Sequence, residues 1–282
     1  MLGMVVAGLC GLITAMACGA FDGEDSPPVG PADASNPPDG STGADGPVAA
    51  GDGGVDPRPD AGQDAGRGVL VNNLFLVSAT EVTNAEYDAF LVALLQGDAG
   101  TMTGGCDFKK GHTRLAGCAA TMQPNAPVNC VDWCDAYRYC GFNGMRLCGK
   151  IGGGPTNLAE IANPLHSQWT MACGGAGPTT YPYGGPDASA GACNIMELEA
   201  GAPAPVRSFP RCEGSPKGLF DMSGNVDEWE DACDDKGKAD DDCRVRGGSF
   251  LSTAAAAKCT SAVAHQRKQA FHNVGFRCCA DP

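Results

Sequence analysis

Fourteen of the chain's sixteen cysteines lie between Cys106 and Cys279, and the other two, Cys10 and Cys18, fall within the first eighteen residues. An even set confined to one stretch reads as a disulfide framework, made where thiols are oxidised. Structural zinc is the competing use of cysteine, but it wants paired knuckles. Only Cys130-Val-Asp-Trp-Cys134 has that spacing, and no second knuckle completes a tetrahedral site. Nearness in sequence suggests the pairs Cys193–Cys212 and Cys233–Cys243. The partners of Cys106, Cys118, Cys130, Cys134 and Cys148 do not follow from spacing.

The two remaining cysteines belong to a different kind of segment. Val5 to Met16 is an apolar run too short to span a bilayer but suited to the centre of an export signal, although no Lys or Arg precedes Arg58. Residues 1–18 are therefore expected to be an export signal. Its end, Ala15-Met16-Ala17-Cys18, has two readings: a cleavage site for ordinary secretion, or a lipobox whose Cys18 becomes an acylated N-terminus. The composition of the adjoining segment favours lipidation. Residues 19–68 are Gly, Ala, Asp and Pro, too poor in bulky apolar side chains to offset ordering entropy, and are expected to form a disordered linker. Such a linker has a root-mean-square span of roughly 40 Å, useful mainly when something upstream is anchored. It also carries ten acids against two bases, a net of −8 within the chain's formal −14. Nothing supplies the basic face that phosphate neutralisation requires, so nucleic acid is excluded as a partner.

Residues 69–282 remain as one folded domain. Val69-Leu70-Val71 and Phe75-Leu76-Val77 are short β-prone runs. Thr83-Asn84-Ala85-Glu86 is a capping box, and Tyr87, Phe90, Leu91 and Leu94 recur on one face of the helix it starts. A second helix is predicted from Trp133 to about Phe142 with Asp132 as its cap, and a third after Ser167. Beyond Cys173, Gly and Pro come every few residues, which predicts small strands, hairpins and loops. The expectation is α+β with much coil.

Seven separated segments together carry a resemblance. They are Glu81-Val-Thr-Asn-Ala-Glu-Tyr87; Pro127-Val-Asn-Cys-Val-Asp-Trp133; Gly144-Met-Arg-Leu147; Tyr181-Pro-Tyr-Gly184; Leu219-Phe-Asp-Met-Ser-Gly-Asn-Val-Asp-Glu-Trp229; Arg246-Gly-Gly-Ser-Phe250; and Gly275-Phe-Arg-Cys278. In this order they resemble the sulfatase-modifying-factor, or formylglycine-generating-enzyme, family, in a cysteine-rich version of bacterial lipoprotein type. The resemblance implies a variant of the C-type-lectin-like fold with little regular secondary structure. It also implies Cys173 paired with Cys259, and Cys140 with either Cys278 or Cys279. The sequence departs from the pattern at Asp227, where the family usually has an aromatic residue, and after Leu147, where residues are inserted.

In the resembling family the segment Asp221–Glu228 binds a structural calcium. Here Asp221 and Glu228 would bring carboxylates and the Gly224-Asn225 turn would expose the carbonyls of Gly224 and Val226, the mixture calcium prefers. A second family site would use Asn194 and the carbonyl of Ile195, in a loop that is shortened in this chain. The acid-rich loop between Cys233 and Cys243 reads as a solvated disulfide loop.

Catalysis in the oxidase branch needs two cysteines soon after the Gly-Gly-Ser segment, whose thiolates capture Cu(I). Ser252 and Ala257 stand at those positions, and neither replaces a thiolate. The segment between Phe250 and Cys259 is also shorter than the family's, which predicts that the two positions fall out of register. The iron-dependent branch needs an H-x₃-H-x-E triad, and His112, His166, His265 and His272 show no such spacing. The reading is an extracytoplasmic domain, membrane-tethered by lipid or else secreted. It is expected to hold calcium but not copper, and to bind an unidentified protein, peptidoglycan or saccharide in place of making formylglycine. The alternatives are an active enzyme modifying exported proteins and a purely structural surface protein.

Overall fold

The computed structural model describes residues 68–97, 105–177, 179–185, 191–234 and 236–282. The export signal, Cys18 and all of the linker but Gly68 lie outside the described residues.

Helix α1, Asn84–Leu95, starts where two side chains satisfy backbone amides reciprocally: Thr83 Oγ1 accepts the N–H of Glu86 and Glu86 Oε2 accepts the N–H of Thr83 at 2.7 Å. Helix α2, Trp133–Phe142, is capped the same way by two aspartates, with Asp132 accepting from Asp135 N–H at 2.9 Å and Asp135 from Asp132 N–H at 3.0 Å. Helix α3, Gln168–Gly174, starts at Ser167. The strands are short: β1 Val69–Val71, β2 Phe75–Val77, β3 Arg146–Leu147, β4 Asp227–Cys233, β5 Asp242–Arg246, β6 Ala262–Gln266, β7 Val274–Phe276 and β8 Cys278–Ala280.

They form two four-stranded sheets, in the orders β1-β2-β8-β3 and β6-β5-β4-β7. The first is antiparallel throughout; in the second only β4 and β7 run parallel, with Glu228 opposite Gly275. One core gathers Tyr87 and Phe90 from α1, Trp133 and Tyr139 from α2, Trp229 from β4 and Phe276 from β7. A second lies under the first sheet, with Val71, Phe75, Val77, Trp169, Met171, Leu219 and Met222, and a third, smaller one gathers Ala192, Cys193, Ile195, Cys212 and Ala257.

Seven disulfides join the fourteen cysteines: 106–134, 118–130, 140–278, 148–279, 173–259, 193–212 and 233–243. The assignment at β8 comes from strand geometry. Successive strand residues face opposite sides of a sheet, so Cys278 enters the core that contains Cys140 while Cys279 enters the one that contains Cys148.

β7 and β8 belong to different sheets and are separated by Arg277 alone. Its side chain is fully buried. Arg277 Nε donates to both oxygens of Glu228 at 2.8 Å and Nη2 to Oε1 at 2.6 Å, while Nη1 reaches Ser78 O at 3.1 Å and Nη2 reaches Phe220 O at 2.9 Å. A second buried pair, Arg246 with Glu230 at 2.7 Å, anchors β5 to β4. Removing one member of such a pair leaves a buried charge uncompensated, at a cost of about 3–5 kcal/mol. Glu228→Gln is therefore expected to lower unfolding stability by roughly that amount. Adding Arg277→Met should recover part of the loss, as read by denaturant unfolding with the disulfides intact.

Candidate functional site

The segment from Asp221 to Glu228 is shaped by three residues in the left-handed region, Asp221 (φ 59°), Gly224 (φ 79°) and Asn225 (φ 61°). Gly224 has no substitute there, because a Cβ would stand 2.4 Å from the carbonyl oxygen of Asn194. Asn225 locks the turn to its neighbours: Oδ1 accepts from Asn194 Nδ2 at 3.1 Å and from Ala204 N–H at 2.8 Å. Asp221 is buried, which pushes its carboxyl up to about 6, and its Oδ2 accepts the Arg207 N–H at 2.8 Å.

Glu228, the other carboxylate expected to ligate calcium, is already engaged. Beside the three contacts from Arg277, its Oε2 accepts Trp169 Nε1 at 2.7 Å. Three donors making four contacts on a group with about four lone-pair positions leave no oxygen to offer a cation. The set Asp221, Gly224, Val226 and Glu228 therefore does not fit calcium as a unit, because Glu228 is the counter-ion of Arg277. In the second implied site, Asn194 is buried and its Oδ1 has no donor, as a ligand oxygen would require. The Ile195 carbonyl already accepts the Leu198 N–H at 2.9 Å. Among the described residues, no three His, Cys, Asp or Glu side chains gather as a metal site.

Ser252 and Ala257 are brought together. Both flank Gly248, with their Cβ atoms 3.0 and 3.2 Å from where a side chain on that glycine would stand. Between them the segment makes a 3₁₀ turn over Ala254–Ala256. Ser252 Oγ accepts the Ser249 N–H at 3.0 Å and lies 3.5 Å from Ser249 Oγ. Ala257 is buried against Cys193, Ile195 and Cys212. Cys259, the nearby cysteine, is bonded to Cys173.

In the sequence Asp227 is a departure from the family pattern with no evident role. The structure sets it beside the degenerate positions. Asn273 Nδ2 donates to Asp227 Oδ2 at 3.2 Å and lies 3.3 Å from Ser249 Oγ, so Asp227, Asn273, Ser249 and Ser252 form one hydrogen-bonded chain. Burial pushes the Asp227 carboxyl up to about 7, against hydrogen bonds from Ser249, Asn273 and the Gly248 amide. Only the replacement of an aromatic residue by an acid hinted at this cluster.

The histidines stand apart: His112 beside Asp135 at 3.0 Å, His166 beside Glu160 at 2.7 Å, His265 against the Phe271 ring and His272 against Phe250. In the acidic loop Asp234 pairs with Lys236, Asp240 with Lys268 and Asp241 with Arg267.

Two small sheets sharing a one-residue crossover, few helices and a disulfide framework define an α+β domain of the C-type-lectin-like class. The chain belongs to the sulfatase-modifying-factor family, whose Sulfatase-modifying factor enzyme 1-like domain model matches residues 32–282. It is 31% identical over 169 residues to inactive C-alpha-formylglycine-generating enzyme 2 of Bos taurus, covering 54% of this chain and 49% of the relative. It is 29% identical over 198 residues to the formylglycine-generating enzyme of Thermomonospora curvata, covering 59% of each. The chain thus spans about half of the length of these relatives. PvdO from Pseudomonas aeruginosa shares the fold, with a TM-score of 0.50 at 22% identity over 74% of this chain and 80% of that one.

The raised carboxyl of Asp227 has a consequence for stability. Folding holds this proton more tightly than the unfolded chain does, so the group's contribution is fully present below about pH 4 and is lost as pH rises through about 7. Asp227→Asn cannot ionise, and is expected to flatten the dependence of melting temperature on pH between about 5 and 8, with its largest gain over wild type at the upper end. Equal slopes in the two proteins would show that the carboxylate is not held this way.

Proposed function

We propose that this domain is a non-catalytic member of its family, exported and tethered at the cell envelope, that works by binding a protein, peptidoglycan or saccharide. The observation that carries the reading is the state of its sulfur. All fourteen cysteines from Cys106 to Cys279 are committed to disulfides, and the two positions that resemblance assigns to copper hold a hydroxyl and a methyl group. Cu(I) is a soft ion that needs soft ligands; Ser252 offers a hard, normally protonated oxygen and Ala257 no donor. Likeness to a relative named as inactive points the same way. Beside the lost thiol positions, Ser252 joins Ser249, Asn273 and Asp227 in a hydrogen-bonded set, and such polar groups suit recognition of a polar ligand.

The wild-type domain, given copper and a cysteine-containing sulfatase-type peptide, is expected to yield no aldehyde by mass spectrometry. Time-dependent aldehyde formation would establish the active-enzyme reading instead. Since Ser252 and Ala257 flank one glycine, the double variant Ser252→Cys, Ala257→Cys is expected to bind Cu(I) at least tenfold more tightly than wild type, measured by chelator competition.

Seven disulfides fit an oxidising compartment. Among the described residues no helix is long and apolar enough to cross a membrane, so a tether would act through Cys18 and its lipid. Cys18→Ser is expected to move the protein from the membrane fraction to the soluble fraction; retention in the membrane would remove the lipoprotein reading.

A further inference from the structure

Beside the Cys173–Cys259 disulfide lies an open groove of about 580 Å³, within the range of small-ligand sites, about 300–1,000 Å³. Neither Ser249, Ser252 nor Asp227 lines it, so it is separate from the polar cluster at the degenerate positions. Apart from Lys258 and Cys259, its lining is glycine, alanine, proline and threonine. In a chain of formal charge −14, this groove thus offers a lysine and no acid. Lys258 is half-buried, and its ammonium has no ion pair or hydrogen bond among the described residues. Thr180 and Thr260 add hydroxyls and backbone N–H groups that have no partner there either. The walls are fixed. The Cys259 N–H donates to Thr180 O at 2.9 Å, Arg246 Nη2 donates to Cys259 O at 2.8 Å and to Thr170 Oγ1 at 2.9 Å, and Thr179 Oγ1 donates to Gly174 O. Walls held in this way keep the unused donors in place before a ligand arrives, which lowers the entropic cost of binding it.

A cation flanked by N–H and O–H donors calls for an anionic acceptor, and a carboxylate can take all three kinds of contact at once. The small apolar groups of the lining leave room for methyl-sized side chains, while no aromatic ring is present for a sugar to stack on. We propose that this groove binds the carboxyl terminus of a short peptide with small side chains, its carboxylate on Lys258 and its backbone beside Thr180 and Thr260. Capture of a terminal carboxylate by backbone donors is a recurring mode of peptide recognition. The inference rests on the binding function proposed above and gives it a place and a ligand class. Two sources share this chemistry: the C-terminus of a protein, made of L-residues, and a peptidoglycan stem peptide ending in D-residues.

The test titrates the full chain, with its seven disulfides verified by non-reducing peptide mapping, with N-acetyl-L-Ala-L-Ala, N-acetyl-D-Ala-D-Ala and the C-terminal amide of each. At least one acid is expected to bind about tenfold or more tightly than its amide, because the charge-assisted contact to Lys258 is lost in the amide. Preference for the L form assigns the groove to protein C-termini, and preference for the D form to peptidoglycan. Lys258→Gln should weaken binding of the acid by about tenfold and leave the amide unchanged. Acids that do not bind, acids and amides that bind alike, or a Lys258→Gln variant with wild-type affinity would each overturn the proposal. Tighter binding of N-acetylmuramic acid than of either dipeptide would also overturn it, by giving the groove to a saccharide. Failure here is distinguishable from failure of the binding function: aldehyde formation in the copper assay removes the non-catalytic reading whatever the dipeptides do, whereas absence of both aldehyde and dipeptide binding removes only the groove.

Discussion

The architecture depends on one buried charge pair. Between β7 and β8 the chain leaves one sheet and enters the other across a single residue, and that residue is Arg277. Its guanidinium makes contacts to Glu228 on β4, to Ser78 after β2 and to the Phe220 carbonyl beside the Asp221 turn. A planar cation with donors fixed in a fork suits this place, where a lysine would supply only a point charge. The geometry explains why Glu228 is unavailable for other chemistry. A group that neutralises the junction of two sheets cannot also be a freely offered ligand.

Around that junction, the regular elements are too short to bury much surface by themselves. Most strands run for three to five residues and the longest helix for twelve. Covalent ties compensate. Bridges that close loops of more than 100 residues, as Cys140–Cys278 and Cys148–Cys279 do, are the kind that reduce unfolded-state entropy most, by about 4–5 kcal/mol each in the chain-entropy account. The rest of the cohesion comes from large aromatic side chains, among them Trp133, Trp169 and Trp229, whose indole N–H groups all find buried partners in the Glu230 carbonyl, the Glu228 carboxylate and the Val131 carbonyl.

Local signals were legible wherever the determinant is local. Capping residues marked the starts of α1, α2 and α3, because a cap depends on residues three positions apart. The second capping aspartate, Asp135, is not signalled in the sequence, since the capping-box pattern expects Glu or Gln at that position and aspartate stands there instead. Family order made the fold readable despite weak periodicity. What could not be read was anything decided across the chain. Whether Cys140 meets Cys278 or Cys279 depends on which face of β8 looks toward α2. The commitment of Glu228 depends on an arginine forty-nine positions later. That Ser252 and Ala257 both stand against Gly248 depends on how the chain turns between them. Asp227 is the instructive case at the site: its identity announced a change, but its partners Ser249 and Asn273 come from separate stretches of chain, and only the fold puts them together.

The placement of adjacent cysteines on β8 also bears on how the protein is made. Cys278 lies 138 positions after its partner and Cys279 lies 131 after its own. If the chain is oxidised as it emerges from N- to C-terminus, Cys140 and Cys148 are exposed before their native partners exist, while other cysteines are already within reach. Local bridges such as 118–130, 193–212 and 233–243 can close as soon as their loops emerge. The two that lock the sheets together cannot. Any early bridge that Cys140 or Cys148 makes with another cysteine must be reopened by thiol–disulfide exchange before the native framework can close.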